Sequence, residues 1–349
     1  MFIYLLLLFS ILLLGMLLEK NNKKTYSILI CIILTLIAGL RHYTIGNDTI
    51  TYLRFFNNVL SSYMTSRYEI GFIYFTLFIR RITDNFTIYL LIISFLFNYI
   101  ICKLIRKDSP NMIVSFLLFF LCRFFFNEMN IMRQYISIAI IILGFKYIYK
   151  REFLQYFICI IVATLFHKSA FLCIILYFLY NVKITKKISI IICIASLVMF
   201  SLFYNVVNYI TMKLNMYETY VDLFYGSNKI GNVISFIICL SIIFLSFYIN
   251  KITKNNSLDK KENYYKWLLI LATVTSFLSI KISIFSRIKN YFDLFVVIFI
   301  PIIVEKINGK KKFLIYFIII LLFGIYCILI THYRPNWNNI YPYYFYTKN

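Results

Sequence analysis

Apolar runs of roughly 15–20 residues recur along the whole chain, from FIYLLLLFSILLLGMLL at 2–18 to FLIYFIIILLFGIYCILI at 313–330. Coiled as a helix, each run covers about the 30 Å hydrocarbon core of a bilayer. Of the 349 residues 62% are hydrophobic and only 14% charged, far from the balance of a soluble domain. The pattern predicts an all-α integral membrane protein, a multi-pass helical bundle forming one polytopic domain over 1–349. Spans are expected near 1–18, 25–40, 86–103, 112–126, 131–149, 152–166, 170–182, 188–206, 231–250, 265–281, 285–304 and 313–331, about twelve in all. The first run has no basic n-region and no small-residue cleavage site, so it reads as a retained helix.

The formal net charge of +23 does not point to nucleic acid, because there is no soluble basic face to carry it. Most lysines sit in short loops between apolar runs, where they set orientation. EKNNKK (19–24), KLIRKD (103–108), KYIYKRE (146–152), KITKK (183–187), the segment 251–266 and EKINGKKK (305–312) fall in alternate connections. They hold 21 of the 36 lysines and arginines and are assigned to the cytoplasmic side. Both ends of the chain then face outward. The eight cysteines lie in or beside apolar runs, with no C-x-x-C pair, and read as small buried hydrophobes.

One apolar segment resists the alternation. Ile70–Ile79 is ten residues long, about 15 Å of helix and half a bilayer. It is read as a re-entrant or interfacial helix, within 70–82, inside a long outer loop over 41–85; a second outer loop is expected at 207–230.

Arginine breaks the orientation rule. Only Arg106 and Arg151 of the eleven fall in cytoplasmic loops; Arg41, Arg54, Arg67, Arg80, Arg81, Arg123, Arg133, Arg287 and Arg334 fall on or near the outer face. Orientation gives no reason for arginine to gather there. Bidentate recognition of carboxylate or phosphate does, so the outer face reads as an anion site suited to a phosphorylated lipid.

Several residues gather around that reading. In LRHYTIGNDT, Arg41 and His42 end the second run and Gly46-Asn47-Asp48 turns the chain. The same stretch also fits an interfacial arginine beside an Asx turn. Glu69 opens the half-length segment, where it is either an ordinary helix-start acid or part of the site. Arg133 and Gln134 enter the membrane in the first turn of a run, where ionisable groups are expensive; snorkelling is the alternative for Arg133. Glu128 is expected to pair with Arg123 or Arg133. His167 occupies a short outer turn, suited to exchange a proton near neutral pH or simply to cap a helix. Arg287 sits in SRIKNY, and Arg334 precedes an aromatic tail. No Gly-rich phosphate loop, H-E-x-x-H or G-x-S-x-G is present.

RHYTIGNDTITY (41–52), YEIGF (68–72), MRQYISIA (132–139), FHKSA (166–170), SRIKNYF (286–292) and the terminal Pro342-Tyr343 together resemble the EpsG-like family, allied to the Wzy-type O-antigen and capsule polymerases. Gly46, Asp48 and Tyr52 satisfy that family's Gly-x-Asp-x-x-x-Tyr. The resemblance implies a reaction at the outer face of the bacterial inner membrane. A growing glycan on undecaprenyl diphosphate is transferred to the non-reducing end of another lipid-linked repeat unit. It implies Asp48 or His167 as the base, and Arg41, His42, Glu69, Arg133, Gln134 and Arg287 as substrate-binding residues. No cofactor is called for, although Asp48 could hold a divalent ion. The partners implied are lipid-linked donor and acceptor, the bilayer, a chain-length regulator and a flippase; nucleic acid is not among them. A flippase for the same lipid, another lipid-linked glycosyltransferase and an O-antigen ligase share the outer cationic site.

Overall fold

The computed structural model describes residues 2–59, 68–213, 229–253 and 259–346. Arg67 and most of the expected 207–230 loop lie outside them. Among the described residues the chain is helical, without a strand and with one isolated antiparallel bridge, between Arg41 and Phe345. It divides into two compact units, 1–177 with 308–349, and 178–307.

The first unit holds α1 (Phe2–Leu18), α2 (Lys23–Gly39), α3 (Thr49–Asn57), α4 (Ile70–Ile82), α5 (Phe86–Asp108), α6 (Met112–Leu121), α7 (Phe124–Asn130), α8 (Met132–Lys150) and α9 (Phe153–Phe166). A 3-10 turn (Lys168–Ile174) follows, and α10 (Ile175–Leu179) runs across the boundary at 177. Short polar residues start these helices: Asn22, Asn85 and Asn111 each accept a first-turn N–H, from Thr25, Thr87 and Val114 at 2.8–3.0 Å. Glu19 reaches the start of α6, accepting from the N–H groups of Met112 and Ile113. Ser27 Oγ donates to the Cys102 carbonyl (3.2 Å), which fixes α2 against α5.

The second unit holds α11 (Lys186–Lys213), α12 (Lys229–Ile252), α13 (Lys260–Ser279), α14 (Ile284–Lys289), a 3-10 turn (Asp293–Phe295) and α15 (Val296–Val304). Lys306 Nζ, just beyond α15, donates to both Glu262 and Asn250, tying α13 and α12. The chain then re-enters the first unit as α16 (Lys310–Tyr333).

Among the described residues three helices are long and apolar enough to cross a membrane: Phe86–Asp108, Ile230–Ile252 and Lys310–Tyr333. The bent pair α6–α7 makes a fourth if taken as one span. The expected count of about twelve is not confirmed among the described residues, where several of the expected runs are broken or short. Three expected spans are interrupted. The run at 170–182 divides into a 3-10 turn and a five-residue helix. That at 285–304 breaks between α14 and α15. That at 112–126 bends by 53° at Arg123, whose left-handed backbone (φ 68°) ends α6. Others are short: α9 has 14 residues, a rise of about 21 Å. Large apolar side chains stand exposed along α1 and α16, among them Phe9, Met16, Phe317 and Leu322, as expected of helices bathed in lipid.

Candidate functional site

The site forms where the short helix α4 meets the end of α9. Gly71 makes the meeting possible: a Cβ there would lie 2.7 Å from Leu165 Cβ and 2.8 Å from its carbonyl oxygen. With only hydrogen at that position, α4 presses its N-terminus against the last turn of α9. Glu69 precedes α4 but does not cap it with its side chain. The carboxylate instead crosses to α8 and α9. Oε2 accepts from Arg133 Nη1. Oε1 lies 3.3 Å from His167 Nδ1 and accepts from the Lys168 backbone N–H at 3.5 Å. His167 is the residue that ends α9, in extended backbone, so its ring leaves the helix just where Glu69 arrives.

Aromatic side chains wall the cluster. The Arg133 guanidinium sits 4.8 Å over the Tyr68 ring. Phe55 packs against Tyr68 with ring centroids 4.0 Å apart, and Phe72 lies on both. Tyr52, one helical turn beyond Asp48, hydrogen-bonds Arg133 and is almost fully buried. The charged groups keep an opening: 24% of the Arg133 side chain, 11% of Glu69 and 15% of His167 are exposed.

Burial alone would push the Glu69 carboxyl up. The His167 hydrogen bond and the Arg133 charge outweigh it, holding the group down at about 2, so Glu69 is an anion near neutral pH. Burial pushes the Tyr52 phenol up to about 12, so it remains a donor. The result is an ionised carboxylate shared between an imidazole and a guanidinium. A carboxylate on Nδ1 orients the ring and leaves Nε2 as the nitrogen able to take up a proton. The guanidinium beside it suits a phosphoryl anion.

Asp48 stands at the exposed start of α3, close enough to Tyr52 to act on it electrostatically. Arg41 is elsewhere in character: it is fully buried, and its donors go to the carbonyls of Ala38 and Met129. His42 faces the chain's end at Tyr346, its Nδ1 2.8 Å from Thr44 Oγ1 and its ring tilted against Tyr43. Gln134 is buried. Arg287 is exposed on α14 and belongs to the second unit. Glu69, Arg133 and His167 are thus the expected residues that come together.

Glu128 pairs with neither arginine expected for it. Its Oε1 accepts from Asn98 Nδ2 at 2.8 Å, because the bend at Arg123 turns α7 toward α5. Arg123 reaches the other way, to Thr331 (2.9 Å) and Asn338 (2.6 Å). The tail is a member that sequence reasoning missed. Asn47 donates to the carbonyls of Asn336 and Trp337, Asn339 to that of Thr44, and the Gly46 N–H to that of Asn339, all at 2.8–2.9 Å. Gly46 takes a positive φ of 91° in this turn, which L residues rarely adopt. Tyr52 and Tyr68 were also missed as site members; the spacing Asp48-x-x-x-Tyr52 was the available signal, since it places both on one face of a helix.

Among the described residues no group of three or more His, Cys, Asp or Glu is arranged to hold a metal ion. A family model described as the EpsG family matches residues 24–345, nearly the whole chain. No curated protein and no solved structure matches it.

Proposed function

Because the chain belongs to the EpsG family, we propose that this membrane protein polymerises lipid-linked glycan repeat units. The substrates are undecaprenyl-diphosphate-linked oligosaccharides, the site lies at the outer face of the bacterial inner membrane, and the product is O-antigen, capsular polysaccharide or exopolysaccharide. The observation that carries the reading is the Glu69 carboxylate shared by His167 and Arg133 in a partly open, aromatic-walled cluster.

In this scheme a hydroxyl at the non-reducing end of the acceptor attacks the anomeric carbon of the donor glycan. His167 takes the hydroxyl proton through Nε2, while Glu69 holds the ring by Nδ1 and balances the imidazolium. The bond from the anomeric carbon to the diphosphate oxygen breaks, and the electron pair leaves with undecaprenyl diphosphate. Arg133 faces that developing charge. Asp48, exposed beside Tyr52, is placed to bind acceptor sugar hydroxyls, and the Tyr68 edge to pack on a sugar ring. The outward gathering of arginines in the sequence supports a leaving diphosphate on that side.

The test is the glycan length profile of cells lacking the gene, complemented with wild type or His167→Ala at matched membrane levels. Cores carrying a single repeat, in the deletion and in the variant, are the expected outcome. Loss of even single repeats in the deletion points to a flippase or ligase instead, and a normal ladder in the variant removes His167 from the chemistry.

A further inference from the structure

Glu69, Arg133 and His167 come from three elements, and α9 is the one against which the other two are set. Gly71 seats α4 on Leu165. What seats α8 is a serine that takes no part in the scheme above. Ser137 and Ala163 are both fully buried, and Ser137 Oγ donates to the Ala163 carbonyl at 3.0 Å. Several helix hydroxyls close on their own helix, as Thr164 does on Ile160 and Ser276 on Ala272, both at 2.7 Å. Ser137 spans two helices. The same Ala163 carbonyl accepts the His167 backbone N–H that ends α9, also at 3.0 Å. One oxygen therefore holds both the helix that carries Arg133 and the residue whose Nδ1 lies beside Glu69.

The pairing repeats along the two helices. Ser137 lies one turn after Arg133 on α8, and Ala163 one turn before His167. Two turns further along α8 is Gly144, and two turns further back along α9 is Tyr156; a Cβ on Gly144 would lie 3.0 Å from the Tyr156 ring. Each step down α8 is thus matched by an equal step back along α9, as in two antiparallel helices held in one register. We propose that Ser137 is a positioning residue: its hydrogen bond to Ala163 fixes the register of α8 on α9, so that Arg133 and His167 arrive level and one Glu69 carboxylate bridges both. A slip of one residue would turn Arg133 by about 100° and shift it by about 1.5 Å, away from a carboxylate that His167 also holds. Between apolar helices the hydroxyl has no water to turn to, which keeps it on the carbonyl.

The part of this inference that concerns rate rests on the polymerase reading; the part that concerns register does not. Purified wild type is compared with Ser137→Ala and with Ser27→Ala, a matched control that removes a hydrogen bond of the same kind between α2 and α5. Two quantities are read: backbone amide exchange over residues 164–168, and polymerisation of a lipid-linked repeat unit. Ser137→Ala is expected to speed that exchange by roughly 10-fold. It is also expected to lower kcat by about 10-fold, with KM within about 3-fold of wild type, since a buried hydroxyl meets no substrate. Ser27→Ala is expected to alter neither. In a Glu69→Gln background Ser137→Ala should cost less than about 2-fold more, because the bridge it aligns is already broken. Unchanged exchange over 164–168 in Ser137→Ala overturns the register role. An equal loss of kcat from Ser27→Ala, or losses that multiply in the double variant, reduce Ser137 to ordinary packing and overturn the positioning role. If wild type itself forms no polymer, the polymerase reading fails while amide exchange still decides the register.

Discussion

Arg41 and Arg133 carry the same side chain and stand at the ends of neighbouring segments, with Met132 touching one and adjoining the other. Their surroundings are opposite. Arg41 is fully enclosed, its donors held by carbonyls of its own chain. Arg133 is about one quarter exposed, shares its counter-ion with an imidazole, and lies across an aromatic face. Sequence reading gives both the same role, as clamps for a diphosphate. What separates them is how many donors the fold has already used: a guanidinium whose fork is filled by the protein organises the protein, and one left at an opening can serve a substrate.

The sharpest way to break this comparison is to remove the charge from the open cluster alone. Glu69→Gln, which no longer balances an imidazolium, is expected to lower polymer formation by roughly 10²–10⁴-fold, while its melting temperature falls less than that of Arg41→Met. Equal damage to stability from both variants would erase the distinction. Next in size is Gly71→Ala. The added methyl meets the Leu165 backbone, which cannot give way as a side-chain tip would, so α4 and Glu69 shift together. A shift of about 1 Å is worth roughly 100-fold in rate, read from turnover in a variant that remains folded. Arg133→Lys keeps the charge but loses the planar contact with Tyr68; an increase of about 10-fold in KM for the repeat unit, with little change in melting, is expected.

A pH series sharpens the same contrast at lower cost to the protein. The Glu69 carboxyl is held below its ordinary 4.5, at about 2, so the folded state favours its ionised form. The stabilisation is complete above about pH 4.5 and is lost as pH falls toward 2. The melting difference between wild type and Glu69→Gln should therefore shrink across that window and hold steady above it. A difference that grows on acidification would mean that the carboxylate is not held by His167 and Arg133. Smallest is Asn338→Ala in the tail, which removes a bond from Arg123 and one to Asn127. A loss of about 1–2 kcal/mol in unfolding free energy is expected, with KM unaltered.

The all-helical, apolar character was legible because it depends on composition and run length, which each stretch carries by itself. Glu69, Arg133 and His167 were legible as polar residues at the ends of apolar runs, where their cost singles them out. The breaks within the apolar runs were not. Arg123 takes a left-handed turn because Thr331 and Asn338 wait for its donors from over 200 residues away, and nothing local announces that. The surroundings of Arg41 were not legible for the same reason: an arginine at the end of an apolar run looks alike whether its fork meets lipid phosphate or the Met129 carbonyl, 88 residues on. Asn98 gave a usable signal that went unread, a carboxamide in the middle of a 23-residue apolar helix.

The central claim is that the carboxylate shared by His167 and Arg133 drives glycosyl transfer from a lipid diphosphate. The most direct measurement incubates purified protein, wild type or Glu69→Gln, with a single lipid-linked repeat unit, and follows glycan length together with released undecaprenyl diphosphate. Wild type should build a ladder, releasing one lipid diphosphate for each linkage formed, and the folded variant should leave the repeat unit almost unchanged. A ladder of equal length and rate from Glu69→Gln would contradict the account.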